Sequence, residues 1–263
     1  MKYIFITLIL ILTLPAFSQA EADETRTIKI LSFNILHGAT TQGDFDLDAI
    51  ARVILDSDPD LVALQEVDFL TNRAKKYDLV TELGLRTKMA PLFARAMPYD
   101  GGEYGEGVLS KWSFIKSRNV ALPYTIGNEP RAALEVTVVT GAGDTISFVG
   151  THLDHLREDT DRVSQAKQIN SAFAANRYPT ILAGDLNDIP GSRAISILEQ
   201  SWTPSYDRDA PMPTFPSTSP GKKIDYVMFK PAERWKVISR DVICDTIASD
   251  HCAYLVTLEL TGN

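Results

Sequence analysis

Carboxylates, amides and imidazoles fall where the apolar runs of this chain stop. "LSFNILHG" places Asn34 in an apolar strand, "LVALQEVD" places Glu66 at the end of another, and "FVGTHLDH" places His152 likewise. "LAGDLNDIP" ends in Asp185, Asn187 and Asp188, "IDYVMF" begins with Asp225, and "ASDHCAYL" sets Asp250 and His251 just before a strand. Taken singly, each reads as a turn or a helix cap. Taken together they have a chemical logic, because buried carboxylates repel one another and are costly without a partner. Several that converge on one place most naturally share a cation. Asn34, Glu66, Asp185 and Asp250 offer oxygen and no thiolate, which suits Mg²⁺, Mn²⁺ or Ca²⁺ better than Zn²⁺. Two histidines beside such a metal point to a substrate with developing negative charge, and phosphate esters fit.

The elements that must position these groups are short apolar or β-branched runs: "IKILSFNI", "LVALQEV", "EGVLSKW", "ALEVTVV", "TISFVGTHL", "TILAGDL", "IDYVMF", "KVISRDVI" and "AYLVTLEL". Helical patterns lie between several of them, over Leu47 to Asp56, Tyr77 to Leu83, Asp161 to Asn176 and Ser192 to Glu199. This alternation predicts an α/β protein. The links "TGAGD" and the turn before "AYLVTLEL" are short enough for hairpins, so the sheets are expected to be mixed or mainly antiparallel. The Pro-, Ser- and Thr-rich segment from Trp202 to Lys223 reads as a long surface loop, a kind that often carries function. Arg162 and Gln165 lie on the third helical pattern, where packing is the default role.

The chain has 263 residues and is 44% hydrophobic, enough for one substantial core, and no linker interrupts it. Residues 1–20 read as a signal peptide: Lys2, an apolar run from Ile4 to Leu14, then Pro15 and small residues up to a cleavage site after Ala20. The run is shorter than the roughly 20 apolar residues a span requires, so no stable membrane anchor is expected. One domain over 21–263 follows, exported to the periplasm or beyond. Export permits disulfides, but for the two cysteines, Cys244 and Cys252, both a hairpin bridge and two buried free thiols are open, the thiols being the plainer reading. A net charge of −8 gives no long-range steering toward nucleic acid or an anionic membrane.

The ordered series "SFNILHG", "LQEVD", "YGEGVLSKW", "EPRAALEV", "GTHLDH", "AGDLND", "KIDYVMF" and "SDHCA" resembles the endonuclease/exonuclease/phosphatase superfamily, with the DNase I-like fold. The "THLDH" and "EPRAAL" variants look like its exported bacterial branch. The resemblance runs from Ile28 to Leu260. It implies a four-layer α/β sandwich of two packed, mixed and mainly antiparallel β-sheets flanked by helices, with the active site at one end of the sheets.

It also implies roles. Glu66 is expected to hold Mg²⁺ (or Mn²⁺, with Ca²⁺ as a further candidate), supported by Asn34 and completed by Asp250. Asp185 is expected to orient the attacking water and take its proton, with Asn187 on the same side of the extended segment donating to a phosphate oxygen. Asp188, on the other side, caps the following turn. His152 and His251 are the expected donors to phosphoryl oxygens, each with an acidic partner that fixes its tautomer and favours its cation: Glu106 for His152 and Asp225 for His251. Arg131 and Arg73 are candidates for substrate phosphate, with a surface salt bridge as the other reading of Arg73. His155 and His37 are expected beside the pocket and the metal.

A phosphoesterase acting on a small or lipid-linked phosphate ester is therefore the first reading, with a monomer expected. An exported nuclease is the alternative, since both would share these residues. A binding module that has lost catalysis is a third, opposed by the complete set of polar strand ends. A membrane-lytic sphingomyelinase lacks an obvious aromatic hairpin to insert into a bilayer.

Overall fold

The computed structural model describes residues 26–262, so the expected leader, 1–20, lies outside the described residues. The strands are β1 (Thr27–Asn34), β2 (Leu61–Phe69), β3 (Ala90–Tyr99), β4 (Gly102–Ser110), β5 (Phe114–Leu122) and β6 (Arg131–Val139). They continue as β7 (Thr145–His152), β8 (Thr180–Asp185), β9 (Thr203–Pro204), β10 (Asp225–Lys230), β11 (Trp235–Ile243) and β12 (Ala253–Leu260). Four α-helices accompany them among the described residues: α1 (Leu47–Ser57), α2 (Leu79–Thr87), α3 (Thr160–Phe173) and α4 (Arg193–Leu198).

The strands form two six-stranded sheets, ordered β11-β12-β1-β2-β4-β3 and β5-β6-β7-β8-β10-β9. The β1–β2 and β7–β8 pairs are parallel and the rest antiparallel. Alternate residues of the central strands, such as Ile30, Ala63, Val136, Phe148, Ile181 and Val256, meet between the sheets in one apolar core. The opposite face of the first sheet packs on α1 and α2 through Phe33, Ile50, Ile54, Leu64 and Leu83. That of the second packs on α3 and α4 through Val149, Ile169, Leu182 and Ile195. The result is the four-layer sandwich. Each fully buried aliphatic side chain stabilises it by about 1.5–3 kcal/mol before entropy is counted.

Helix boundaries follow their caps. Asp46 Oδ1 accepts from Asp48 and Ala49 N–H at 2.9 and 3.2 Å, starting α1. Asp78 caps Thr81 N–H, so α2 begins at Leu79, two residues after the expected Tyr77, and runs on to Thr87.

Strands β3, β5 and β9 are absent from the sequence reading. β3 and β5 form sheet edges, and most of their residues are partly or fully exposed, which leaves no apolar run to read. The cysteines correct the plainer reading: they are disulfide-bonded, not two free thiols. The register that pairs Ile243 with Ala253 brings the next two residues, Cys244 and Cys252, face to face with Cα atoms 4.2 Å apart. No helix of the described residues is long and apolar enough to cross a membrane.

Candidate active site

Strand register builds the site. β1 and β2 run parallel and their pairing ends at Asn34 and Gln65, beyond which β2 continues beside β4, while β7 and β8 end together at His152 and Asp185. β10 runs the other way and starts at the same edge, so Asp225 pairs directly with Asp185. β12 also starts there, and Asp250 and His251 precede it. Groups scattered over more than two hundred residues of sequence thereby share one end of the sandwich, where His152, Asp185, Asp250 and His251 line a cleft of about 300 Å³ and Asn34 and Asp225 are buried beside them.

Glu66 reaches the cleft through a β-bulge. Val62, Leu64 and Val67 all face the helices, and the β2–β4 register slips between Leu64 and Val67. Strict alternation would put Glu66 on the helix side with Leu64. The extra residue, with Glu66 at φ 57°, turns its carboxylate into the cleft. There Oε1 accepts from Asn34 Nδ2 at 3.2 Å, and Oε2 lies 3.3 Å from His37 Nδ1. Burial alone would raise this acid, but the hydrogen bonds with His37 and Asn34 outweigh it and hold the pKa at about 2. Glu66 is ionised at any working pH.

Asn34 also donates to Asp185 Oδ2 at 3.3 Å, while its own Oδ1 accepts from Leu36 N–H at 3.1 Å. This departs from the expected oxygen ligand. With its carbonyl engaged by the backbone, Asn34 faces the two carboxylates as a donor and fixes their positions. Asp250 is half-buried on the cleft wall and burial raises its pKa, with Glu66 adding to the rise.

Asp185 is fully buried between the two histidines. Its Oδ2 is 3.5 Å from His152 Nε2 and 3.6 Å from His251 Nε2, and its Oδ1 accepts from Asn187 N–H at 2.9 Å. Burial drives its pKa up, His251 offsets part of that, and it settles at about 7. His251 has the expected partner: Nδ1 lies 3.1 and 3.2 Å from the oxygens of Asp225. Burial opposes its cation, but Asp225 and Asp185 win and raise the pKa to about 10. Phe215 packs on the imidazole, with ring centroids 4.8 Å apart.

His152 contradicts its expected pairing. Glu106 does not engage it: that side chain is fully buried, and neither carboxyl oxygen has a hydrogen-bond partner among the described residues. Burial pushes Glu106 well above the usual carboxylate range, so it is a neutral acid. In its place Arg131 Nη1 faces His152 Nδ1 at 3.2 Å, and Asn187 Nδ2 faces Nε2 at 2.9 Å. With N–H donors on both sides, the ring can accept from one of them when neutral and from neither when protonated. Burial, reinforced by the Arg131 charge, holds the ring neutral. His152 is therefore not the cation that the sequence suggested.

Arg131 is almost wholly buried, with both Nη groups engaged and Nε without a hydrogen-bond partner among the described residues. Its Nη2 pairs with Glu129 at 2.9 Å and faces His155 Nδ1 at 3.1 Å, and Nη1 also donates to Tyr104 Oη at 3.4 Å. Arg73 makes a salt bridge, though to a buried partner: Nε and Nη2 clamp Asp68 at 2.7 and 2.9 Å, and the guanidinium lies 4.5 Å from the Tyr99 ring on the cleft wall. Asp188 is structural as expected: Oδ1 accepts from Ile189 N–H at 3.0 Å at the start of the following turn, and Oδ2 accepts from Arg162 Nε at 3.3 Å. Arg162 donates to the carbonyls of Asp154 and Leu156, and Gln165 accepts from Asp154 N–H, so this helix face holds the loop that follows His152. Glu129, Tyr99, Tyr104 and Phe215 line the cleft and were missed from sequence. Glu129 sat in view in "EPRAAL", two residues before Arg131. No spacing signal marked the others.

The donor set fits a divalent cation. Ligand atoms of Asp185, Asp225 and His251 lie within 4.8 Å of one another, a group that could hold a metal ion, and the ionised Glu66 and Asp250 line the same cleft. Comparison with known proteins agrees with the fold. The model of the endonuclease/exonuclease/phosphatase family matches residues 31–251. This chain belongs to that family.

Solved structures of similar fold include a family member from Beutenbergia cavernae, 23% identical with a TM-score of 0.71, over 90% of this chain and 72% of that one. A mannosyl-6-phosphatase from Bacteroides thetaiotaomicron is 19% identical with a TM-score of 0.70, over 88% and 99%. The human Nocturnin catalytic domain is 17% identical with a TM-score of 0.68, over 90% and 96%. At such identities the family member under study shares their fold, and its chemistry has to be read from its own residues.

Proposed function

We propose that this protein is a divalent-cation-dependent phosphoesterase that hydrolyses a small phosphate ester by in-line attack of water. One observation carries the reading: Asp185 Oδ2 lies 3.5 Å from the neutral imidazole of His152 and 3.6 Å from the cationic imidazole of His251, with its pKa raised to about 7, and Asn34 Nδ2 bridges it to the ionised Glu66. Glu66 and Asp250 would hold the cation, with Asp185 and Asp225 at its margin. The bound metal would offset charge on the phosphate oxygens and the leaving group. Asp185 is poised to take the proton of the attacking water at neutral pH, where a base of that pKa is most effective. His251, kept protonated by Asp225, donates to a phosphoryl oxygen, whereas Asn187, expected to do the same, spends its amide on His152 Nε2 at 2.9 Å and Leu153 O at 3.0 Å and so positions the neutral imidazole instead.

The rim favours a small substrate over nucleic acid. Among the described residues no lysine lines the cleft, Arg131 has its Nη groups committed, and Arg73 has its Nε and Nη2 given to Asp68. Glu129 adds a half-exposed carboxylate that would repel a polyanion yet accept from hydroxyl groups. The mannosyl-6-phosphatase of similar fold is in keeping with a hydroxyl-rich leaving group. The Cys244–Cys252 bridge supports export, since such bonds persist in oxidising compartments.

The test is hydrolysis of p-nitrophenyl phosphate, its bis-ester, hexose phosphates and a single-stranded oligonucleotide with Mg²⁺ or Mn²⁺. Turnover is expected on the small esters, is abolished by chelator, and falls roughly a hundredfold or more in Asp185→Ala. Turnover that survives complete chelation refutes the cation, and turnover on the oligonucleotide alone refutes the small substrate.

A further inference from the structure

The segment from Asp245 to His251, which carries Asp250 and His251, connects β11 to β12 and has no helix or strand of its own. It is held to the rest of the site by individual bonds. Ser249 Oγ donates to Asn34 O at 2.7 Å and accepts from His251 N–H at 3.1 Å. Ser217 donates from its amide to Asp250 O at 2.6 Å and from its hydroxyl to Ser249 O at 2.7 Å. Cys252 N–H donates to Thr214 O at 2.8 Å, and Thr214 Oγ1 accepts from Asp225 N–H at 3.2 Å. Asn34, Asp225, Asp250 and His251 are thus registered against one another through this segment.

The ladder between β11 and β12 ends at Ile243 and Ala253, one residue short of the segment on each side. The disulfide closes that gap, at a sequence separation of 8, and its second sulfur belongs to the residue bonded directly to His251. Cys252 is fully buried whereas Cys244 is exposed, so the bridge ties the catalytic edge to a point at the surface. A short covalent ring removes most of the alternative conformations open to the segment inside it.

We propose that the Cys244–Cys252 disulfide is a positioning element of the active site, which holds Asp250 and His251 in register with Asn34 and Asp225, so that opening it slackens the site while the sandwich stays folded. This rests on the phosphoesterase reading, and oxidised wild type turning over p-nitrophenyl phosphate with Mn²⁺ checks that reading separately. The sandwich does not depend on the bridge for its core, because the residues between its sheets come from eight or more other segments of chain.

The test compares wild type with Cys244→Ser/Cys252→Ala. The double variant is expected to keep its far-ultraviolet circular dichroism, to lose about tenfold or more in kcat with a smaller change in KM, and to bind Mn²⁺ several-fold more weakly by calorimetry without substrate. Amide exchange is expected to quicken over residues 245–252 and to stay unchanged in β1, β2 and β8. Ile50→Val, which weakens the core beneath α1, serves as the control for lowered stability and is expected to leave kcat unaltered. Should the double variant not fold, folded wild type is treated with a dithiol, then freed of it. In that exchange the protein bridge takes up two electrons and two protons to give two thiols, and the dithiol closes to its own disulfide. Full kcat and Mn²⁺ affinity, either in the double variant or in reduced wild type with two thiols titrated, overturn the proposal.

Discussion

Two histidines at one cleft are set to opposite charge states, and the cause is which residues face their nitrogens. His251 has Asp225 on Nδ1 and Asp185 near Nε2, whereas His152 has Arg131 on Nδ1 and Asn187 on Nε2. In metal-free protein followed by NMR, the His251 ring is expected to stay cationic until about pH 10, while His152 stays neutral across the neutral range. The sign for stability follows from linkage. A histidine whose pKa is raised on folding, here from 6.5 to about 10, contributes stability that is complete below about pH 6.5 and is lost as pH rises through 10. Asp225→Asn removes the strongest charge that favours the cation. It is expected to lower the His251 pKa by two or more units, roughly, to cut kcat about a hundredfold, and to flatten the alkaline fall of stability seen in pH-dependent denaturation. An unchanged His251 titration in that variant would remove Asp225 from its role.

At the scale of elements, two close approaches set the working edge. Gly184 precedes Asp185 on β8, and a Cβ built on it would lie 2.0 Å from the carbonyl oxygen of Thr151 on β7. Backbone cannot yield as a flexible side chain can, so Gly184→Ala is expected to push β7 and β8 apart. Its cost should exceed about 2 kcal/mol in denaturant unfolding, with a loss of kcat larger than that of a core variant of equal stability, because His152 and Asp185 are paired across that contact. The second is the bulge at Glu66, which marks the limit of what the chain discloses before folding. Polar groups at the ends of apolar runs were legible, because a buried strand has few other reasons to stop in an acid. The central strands were legible for the same reason, and the edge strands β3 and β5, mostly exposed, were not. The pairing of His152 with Arg131, and not with Glu106, depends on side chains brought together across β4, β6 and β7, which no local pattern encodes. The bulge likewise changes the face that Glu66 occupies without changing its motif. The disulfide needed the β11–β12 register before its two cysteines could be seen to face each other.

The whole molecule carries a net charge of −8 and concentrates several carboxylates at one end of its sheets. That concentration is a standing electrostatic cost. Asp185 expresses it directly, since a carboxyl raised to about 7 on folding costs stability that is absent below its unfolded pKa of 3.8 and grows as pH rises to 7. A cation that binds the folded state alone should relieve this cost and add its own linkage, about 2.7 kcal/mol at a hundredfold excess over Kd. Mn²⁺ or Mg²⁺ is therefore expected to raise the Tm by several degrees at pH 8, to do so less at pH 5 where Asp185 is protonated, and to lose the effect on chelation. Glu66→Gln keeps the shape of the side chain but removes the charge held at a pKa of about 2, so it should abolish most of the metal-induced rise in Tm. Its metal-free Tm should fall at neutral pH, because a carboxyl whose pKa is lowered on folding contributes stability there that the amide does not supply. Thermal melts with and without metal, at both pH values, check all of these. A metal-induced rise in Glu66→Gln equal to that of wild type would show that the cation is held elsewhere, with the Asp185, Asp225 and His251 group as the next position to test by the same melts.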